Sequence, residues 1–514
     1  MKAGMARQSK AEQSAGHEDV TPENEIPVSS DGENLDSAKR RSIAAPVTSV
    51  SWRRGLLWSA AAALVGGFVL RVWMLHAFPQ VSGDALIYGN IAKSLVLHGQ
   101  FAITDGSGAV HPTLIRLPGY PLFLAACFRI FGIDNYNAVA YFQIILELGA
   151  CFLLAGFVRR IFSPSAGLIT LWLATMCPFT AVYAFAPLTE SPTFDMICVA
   201  LWSLERHLSE SGGEVSDSGR RKWRWLFVFT VAVSCAALLR PDGALLAIAL
   251  WPALLLDRSA KTSFSSALRQ ALICGLFSIL PFVVWTGRNW HTFHVFEPLA
   301  PRYANDPGED PHLGWQHWVK TWCVDFSCTY EVYWNVPDGP LAMEDLPSQA
   351  VDSAAEREQT TALLADYNIK EELSPDIDAR FGELARQRAA ANPFRTYLWL
   401  PLGRLADMTL RPRVENLPID LRWWEYNHHR QETRFSIAYG AVNLIFLLLG
   451  LAGFLYRPRF WPYMAAYFVL RGLLLLTIEA PETRYTLEFF PFLFALGGIA
   501  LHRFFSRGER LQET

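Results

Sequence analysis

A succession of long apolar runs constrains this chain more than any other feature. A membrane-spanning helix needs about 20 apolar residues, with a lower limit of about 17. Ten runs meet or approach that length, at 55–78, 139–158, 166–186, 190–205, 223–239, 243–256, 267–287, 436–456, 460–478 and 485–505. The run 243–256 is short and bounded by Pro252. Composition agrees, because 51% of the 514 residues are hydrophobic and only 18% are charged, where soluble domains carry about a quarter. The excess apolar surface must face lipid. A formal net charge of −3 gives no bulk electrostatic reason to bind nucleic acid.

Basic residues set the topology. Short cytoplasmic loops are enriched in Lys and Arg. If the 13-residue run 119–131 does not cross and is re-entrant or interfacial, every basic cluster falls on one side. These clusters are Arg53 and Arg54, Arg159 and Arg160, Arg220 to Arg224, Arg258 to Arg269, Arg457 and Arg459, and Arg503 to Arg510. If it did cross, all clusters after the first would flip. Ten crossings therefore predict a multi-pass protein of the inner (plasma) membrane with both termini cytoplasmic.

The expected organisation follows. Residues 1–50 lack apolar periodicity and predict a disordered cytoplasmic tail, too long ahead of the first run for a cleaved signal peptide. Residues 51–290 form a transmembrane core with a first outer loop at 79–138. Residues 291–435 make a large extracytoplasmic loop domain, 436–505 the C-terminal membrane helices and 506–514 a short tail. Within the large loop 345–410 has helical periodicity, and 394–410 is expected at the membrane interface because it carries Arg395, Arg404 and Asp407. Six cysteines lie in apolar runs and read as small hydrophobes. Cys323 and Cys328 sit together in a polar outer loop, either bridged or as two free thiols.

Charges left at the outer helix ends are the candidates for function. Asp84 follows the first crossing, with Tyr88 one turn further on the same helical face. Arg116 precedes 119–131, and Glu190 stands in LTESP. Arg240 and Asp242 stand in LLRPDG, Arg288 in TGRNW, and Glu482, Arg484 and Tyr485 in APETRY. Each has a plainer reading: the arginines, with Arg71 in the first helix, can snorkel to headgroups, Asp242 can shape a turn, and Asp84 can cap a helix. Their convergence at one membrane depth favours a shared cavity, since ionisable groups there pair or line one. Guanidinium groups suit a phosphate, and a nearby carboxylate suits deprotonation of a hydroxyl. The charge placement points to group transfer from a lipid phosphate to an outer acceptor. A lipid-linked sugar flippase or transporter is the alternative, although transporters usually place their ionisable site at the midplane.

In order, SGDALIYGNIAKSLVLHG, RLPGYPLFLAACFRIFG, LTESP, LLRPDG, GRNW and APETRY resemble the GT-C-fold glycosyltransferases of the family 39 type. That family includes protein O-mannosyltransferases, lipid A aminoarabinose transferases and lipopolysaccharide-core glycosyltransferases. The resemblance covers about 55–300 and 436–505. It implies an all-α polytopic bundle of about ten transmembrane helices with a large extracytoplasmic loop. It further implies a polyprenyl-phosphate sugar donor and an acceptor that is an envelope glycan, lipid or protein. By the same resemblance Asp84 is the base, and Arg240, Arg288 and Arg484 face the donor phosphate. Tyr88, Arg116, Glu190, Asp242, Glu482 and Tyr485 complete the sugar or acceptor pocket. Many relatives carry a second acid directly after the first; this chain has Ala85. No nucleotide loop of the GxxxxGK[ST] type occurs. No cofactor is assigned: a divalent cation shared by His111, Asp84 and Glu190 is conceivable, but no local ligand motif supports a metal.

Overall fold

The computed structural model describes residues 47–78, 81–210, 217–257, 263–337, 339–370 and 372–512. Contacts group Leu56–Thr514 as one compact unit, distinct from Met1–Gly55. The tail expected at 1–50 lies outside the described residues as far as residue 46.

The architecture is all-α, as expected. Helix α1 (Val47–Ala77) leads into α2 (Asp84–His98), the hairpin β1 (Ala102–Thr104) and β2 (Val110–Pro112), and α3 (Gly119–Phe131). The strands are antiparallel, with Ile103 opposite His111. The core continues with α4 (Tyr136–Ile161), α5 (Pro164–Thr175), α6 (Pro178–Ala184), α7 (Glu190–Ser209) and α8 (Asp217–Leu239). Short helices α9 (Ala244–Leu250) and α10 (Pro252–Leu256) precede the long α11 (Phe264–Phe293). The second outer loop holds α12 (Leu313–Lys320), α13 (Ala354–Lys370), α14 (Pro375–Ala391) and α15 (Leu400–Leu410). Helices α16 (Arg430–Phe454), α17 (Trp461–Leu475) and α18 (Phe490–Gln512) close the chain, and α18 extends past the expected end at 505.

Six helices among the described residues are long and apolar enough to cross a membrane, or seven if α5 and α6, bent by 59°, make one span. Three of the ten expected runs do not meet that measure, and each has a physical reason. α7 carries Asp195, Glu205 and His207, but all three are buried. A helix enclosed by protein has no need of an apolar surface. The run 243–256 breaks into α9 and α10 at Pro252, whose missing N–H interrupts the helix. α17 has only 15 residues.

Lipid-facing and protein-facing helices are easily told apart. α11 exposes Leu272, Leu276, Phe277, Val283 and Val284, and α16 exposes Ile445, Leu448 and Leu451. In α18, by contrast, Phe490, Phe492, Phe494 and Leu496 are fully buried among α5, α7 and α16. Arg71 does not snorkel. It is fully buried, donating to Glu147 Oε1 at 2.8 Å and to the Thr175 carbonyl at 2.6 Å. Such a pair meets the cost of a charge at membrane depth.

The second outer loop has its own core, built on Trp315, Trp318, Trp322 and Phe381 where α12 packs on α14. Cys323 and Cys328 are bridged, with Cα atoms 5.7 Å apart. Arg404 turns inward onto the carbonyls of Lys320 and Cys323, at 2.9 Å each. The same segment exposes Phe394, Tyr397 and Trp399, residue types that suit a headgroup layer.

Candidate active site

The starts of α2 and α7, the end of α8 and the segment leading into α18 meet, and two glycines allow the approach. A Cβ on Gly243 would stand 2.0 Å from the Ala236 carbonyl oxygen, and one on Gly119 would stand 2.6 Å from that of Leu238. Only glycine lets the turn Pro241–Gly243 fold back on α8 and lets α3 start against its end. Arg240 leads into that turn in an extended conformation. α2 is fixed by reciprocal 2.8 Å hydrogen bonds between the Asn90 side chain and the Thr104 backbone. The Tyr88 ring meets Tyr120 of α3 edge-on at 5.0 Å.

Asp84 is not the cap of α2. Gly83 holds the N-cap position, and Asp84 is the first helical residue. Its carboxylate is instead shared by two arginines from distant parts of the chain. Oδ1 accepts from Arg116 Nη2 at 2.7 Å, and Oδ2 lies 3.0 Å from Arg484 Nη2. Arg484 also pairs with Glu482, at 2.5 Å, and lies 3.8 Å from Glu190 Oε1. The Tyr485 hydroxyl donates to Glu482. Glu190 Oε1 accepts from Arg240 Nη1 at 2.9 Å, and Arg240 pairs with Asp242 at 3.1 Å. Alternating charges thus run from Asp84 through Arg484, Glu190 and Arg240 to Asp242.

Behind them lies a pair that the sequence reading missed. Glu488 bridges Arg240, at 3.2 Å, and Arg471, at 2.5 Å. Arg471 holds Asp242 Oδ2 at 2.9 Å and the Tyr485 carbonyl at 2.6 Å. Arg471 and Glu488 each stand within an apolar run, and a lone ionisable residue there was the available signal.

Two cavities adjoin the network. One, of about 650 Å³, is lined by nine of the ten sequence-predicted residues: Asp84, Tyr88, Arg116, Glu190, Arg240, Asp242, Glu482, Arg484 and Tyr485. Arg302 also lines it, from the second outer loop, and is held at 2.7 Å by Glu479. The second cavity, of about 920 Å³, opens under the large loop. Asp84, Glu482, Arg484, Tyr303, Tyr333, Trp334 and Leu188 line both.

Arg288 is the exception. It donates to the carbonyls of Thr113, at 2.8 Å, and Phe101, at 2.6 Å, and stacks on Phe101, Trp285 and Phe293. It lines neither cavity. Its guanidinium fastens the first loop to α11.

Burial raises the Asp84 carboxyl, but Arg484 and Arg116 outweigh it and hold the group below the ordinary aspartate value. Asp84 is therefore ionised at neutral pH, and weakly basic while both arginines hold it. Burial pushes the Tyr88 phenol up to about 12, with Arg116 opposing and Asp84 and Glu190 adding. Tyr88 is therefore a neutral donor across the working range. His111 is 2.8 Å from Asp105 in the hairpin and does not join Asp84. Among the described residues no group of three or more His, Cys, Asp or Glu is placed to hold a metal ion.

Comparisons with known proteins agree with the resemblance read from the sequence. Residues 110–285 match the family model of dolichyl-phosphate-mannose-protein mannosyltransferases. That interval contains Arg116, Glu190, Arg240 and Asp242, and ends before Arg484. No curated protein matches in sequence. Among solved structures, an oligosaccharyltransferase from Archaeoglobus fulgidus tethered to an acceptor peptide aligns over 87% of this chain and 50% of its own, with 12% identity and a TM-score of 0.48. The same organism's enzyme with an inhibitory peptide and a dolichol-phosphate aligns over 88% and 51%, at 12% identity and TM-score 0.48. ArnT from Cupriavidus metallidurans bound to undecaprenyl phosphate aligns over 87% and 77%, at 15% identity and TM-score 0.34. The chain spans about half the length of the archaeal structures it matches.

Proposed function

We propose that this multi-pass membrane protein transfers a sugar from a polyprenyl-phosphate donor to an extracytoplasmic acceptor, with Asp84 as base. The observation that carries the reading is the Asp84 carboxylate, held between Arg116 and Arg484 on lining common to both cavities. Four arginines, Arg116, Arg240, Arg302 and Arg484, line the smaller cavity, and they suit the phosphate of the donor. A phosphate drawing Arg484 and Arg116 toward itself loosens their hold on Asp84. The carboxylate then becomes a stronger base when a donor is bound, which ties proton removal to donor occupancy.

The reaction is a single displacement. The acceptor hydroxyl oxygen attacks the anomeric carbon while Asp84 takes its proton. The bond from that carbon to the phosphate oxygen breaks, and its electron pair leaves on the phosphate. The arginines stabilise the charge that grows there, and configuration at the anomeric carbon inverts. Tyr88 donates a hydrogen bond within the same cavity. On this reading the cavities face the outside of the inner membrane, and both termini are cytoplasmic.

The test uses the purified full-length chain in liposomes with an undecaprenyl-phosphate-linked sugar and an envelope extract. Mass spectrometry follows the sugar. Transfer to an acceptor supports the reading; movement of intact donor between leaflets without transfer overturns it in favour of a flippase.

A further inference from the structure

The two cavities differ in charge more than in size. The smaller has four arginines against four carboxylates, Asp84, Glu190, Asp242 and Glu482. The larger also has four carboxylates, Asp84, Asp310, Glu415 and Glu482, but Arg484 is the one lysine or arginine among its described lining residues. That arginine is already committed to Asp84 and Glu482. A phosphate or carboxylate entering the larger cavity would meet four carboxylates and a single cation that is already engaged. Aromatic rings line it as well, including Tyr330, Tyr333, Trp334, Phe326 and Trp315. Phe326, Tyr330 and Trp334 pack within 6.1 Å of one another.

The lining also holds buried polar atoms that make no hydrogen bond within the protein. Glu415 Oε1 is buried without a hydrogen bond, and the nearest arginine atom, Arg411 Nε, is 3.6 Å away. His312 Nδ1 is likewise buried and unpartnered. Buried polar groups are ordinarily satisfied, so such atoms at a cavity mark places for ligand groups. Burial raises the Glu415 carboxyl above the ordinary glutamate value, against Arg411 and Arg413.

We infer that the larger cavity is an acceptor site for a neutral saccharide, whose ring faces stack on Tyr330 and Trp334 and whose hydroxyls bond Glu415 and His312. This inference rests on the transferase reading and adds the acceptor class to it. Aromatic rings offer flat apolar surface to the C–H face of a sugar, while carboxyls and imidazole take its hydroxyls. A hydroxyl delivered along this wall reaches Asp84, which lines the same cavity. A phosphorylated glycolipid would find one cation in this lining, Arg484, and that one already engaged by Asp84 and Glu482. A peptide would gain little from a site without a strand edge, since the described strands are only those of the first loop hairpin.

The experiment measures binding to the purified full-length chain by tryptophan fluorescence. The probes are neutral gluco-, galacto- and manno-oligosaccharides, diphosphoryl lipid A, a Ser/Thr-rich peptide and undecaprenyl phosphate. At least one neutral oligosaccharide is expected to saturate. Tyr330 is 53% exposed, so Tyr330→Ala removes a stacking face without opening a core. It should weaken that oligosaccharide about tenfold. Glu415→Gln should also weaken it about tenfold, by loss of one strong hydrogen bond. Both variants should bind undecaprenyl phosphate as the parent does, which verifies that they are folded. Saturable binding of lipid A or peptide in place of neutral sugar overturns the inference, as does no binding by any of the three acceptor classes. Failure of undecaprenyl phosphate to bind the parent protein instead refutes the transferase reading itself.

Discussion

Replacing Asp84 with Asn removes one charge and almost no volume. In the resting protein that charge is held at 2.7 Å by Arg116 and at 3.0 Å by Arg484. Its side chain is 27% exposed, so water screens part of the attraction. Loss of two charge-assisted contacts costs about 1–3 kcal/mol of stability, which a folded membrane protein of this size tolerates. Loss of a general base costs about 10²–10⁴-fold in rate, or about 3–5 kcal/mol of barrier. The rate should therefore collapse in a protein that still folds. Donor binding should hold or tighten, because Arg116 and Arg484 are released toward the phosphate. The assay pairs kcat for sugar transfer with undecaprenyl phosphate affinity measured on the same preparation. If kcat stays within tenfold of the parent, Asp84 is not the base. If donor affinity falls in step with the rate, its role is in binding.

The pH profile carries its own signature: the Asp84 carboxyl is depressed in the free protein, so it stays ionised down to below the ordinary value of about 3.9. Any stability it contributes is present above that value and lost as pH falls through the depressed one. The acid limb of kcat/KM should therefore lie below the ordinary carboxylate range, while that of kcat, measured with donor bound, should lie higher. Coincident limbs would refute the competition between carboxylate and phosphate. Arg240→Gln removes the cation common to Glu190, Asp242 and Glu488, leaving Arg471 on two of them and Arg484 3.8 Å from Glu190, and should lower stability by about 1–3 kcal/mol, read as lost thermal stability in detergent. Arg288→Ala should lower thermal stability too, with undecaprenyl phosphate affinity unchanged; a tenfold loss of affinity would restore Arg288 to the donor site. Gly243→Ala places a methyl 2.0 Å from the Ala236 carbonyl, and should abolish transfer even where protein is recovered.

The nine cavity residues were legible because lipid is intolerant of charge. An acid or base at the outer end of an apolar run must find a partner or a cavity, so short loops such as LLRPDG announce themselves. Arg288 satisfied the same rule by another route, donating to backbone carbonyls of the first loop. Sequence alone does not separate those outcomes. Arg302 was hidden for a different reason: it lies in the long second loop, among other charges, and only the fold returns it to Glu479. The expected count of ten crossings leaned on hydropathy where it is a weak guide. α7 is polar because protein, not lipid, surrounds it, so its buried Asp195 and Glu205 report a neighbour rather than a failure to span. The disulfide was open in sequence because spacing says nothing of Cα separation, which the loop's fold supplies.

Asp84, Arg116 and Arg484 come from opposite ends of the chain, and that has a consequence for biogenesis. Residues 84 and 116 leave the ribosome early, in the first outer loop. Their third partner arrives only with the last helix, nearly four hundred residues later by position in the sequence. Until then Asp84 has one arginine, and Glu190 and Arg240 face a gap where Arg484 and Glu488 belong. The network is therefore closed only when the segment ahead of α18 is made, and a chain truncated before Arg484 would insert most of its helices while leaving the charges unmatched. Arrival of Arg484 and Glu488 turns an inserted polypeptide into a closed network.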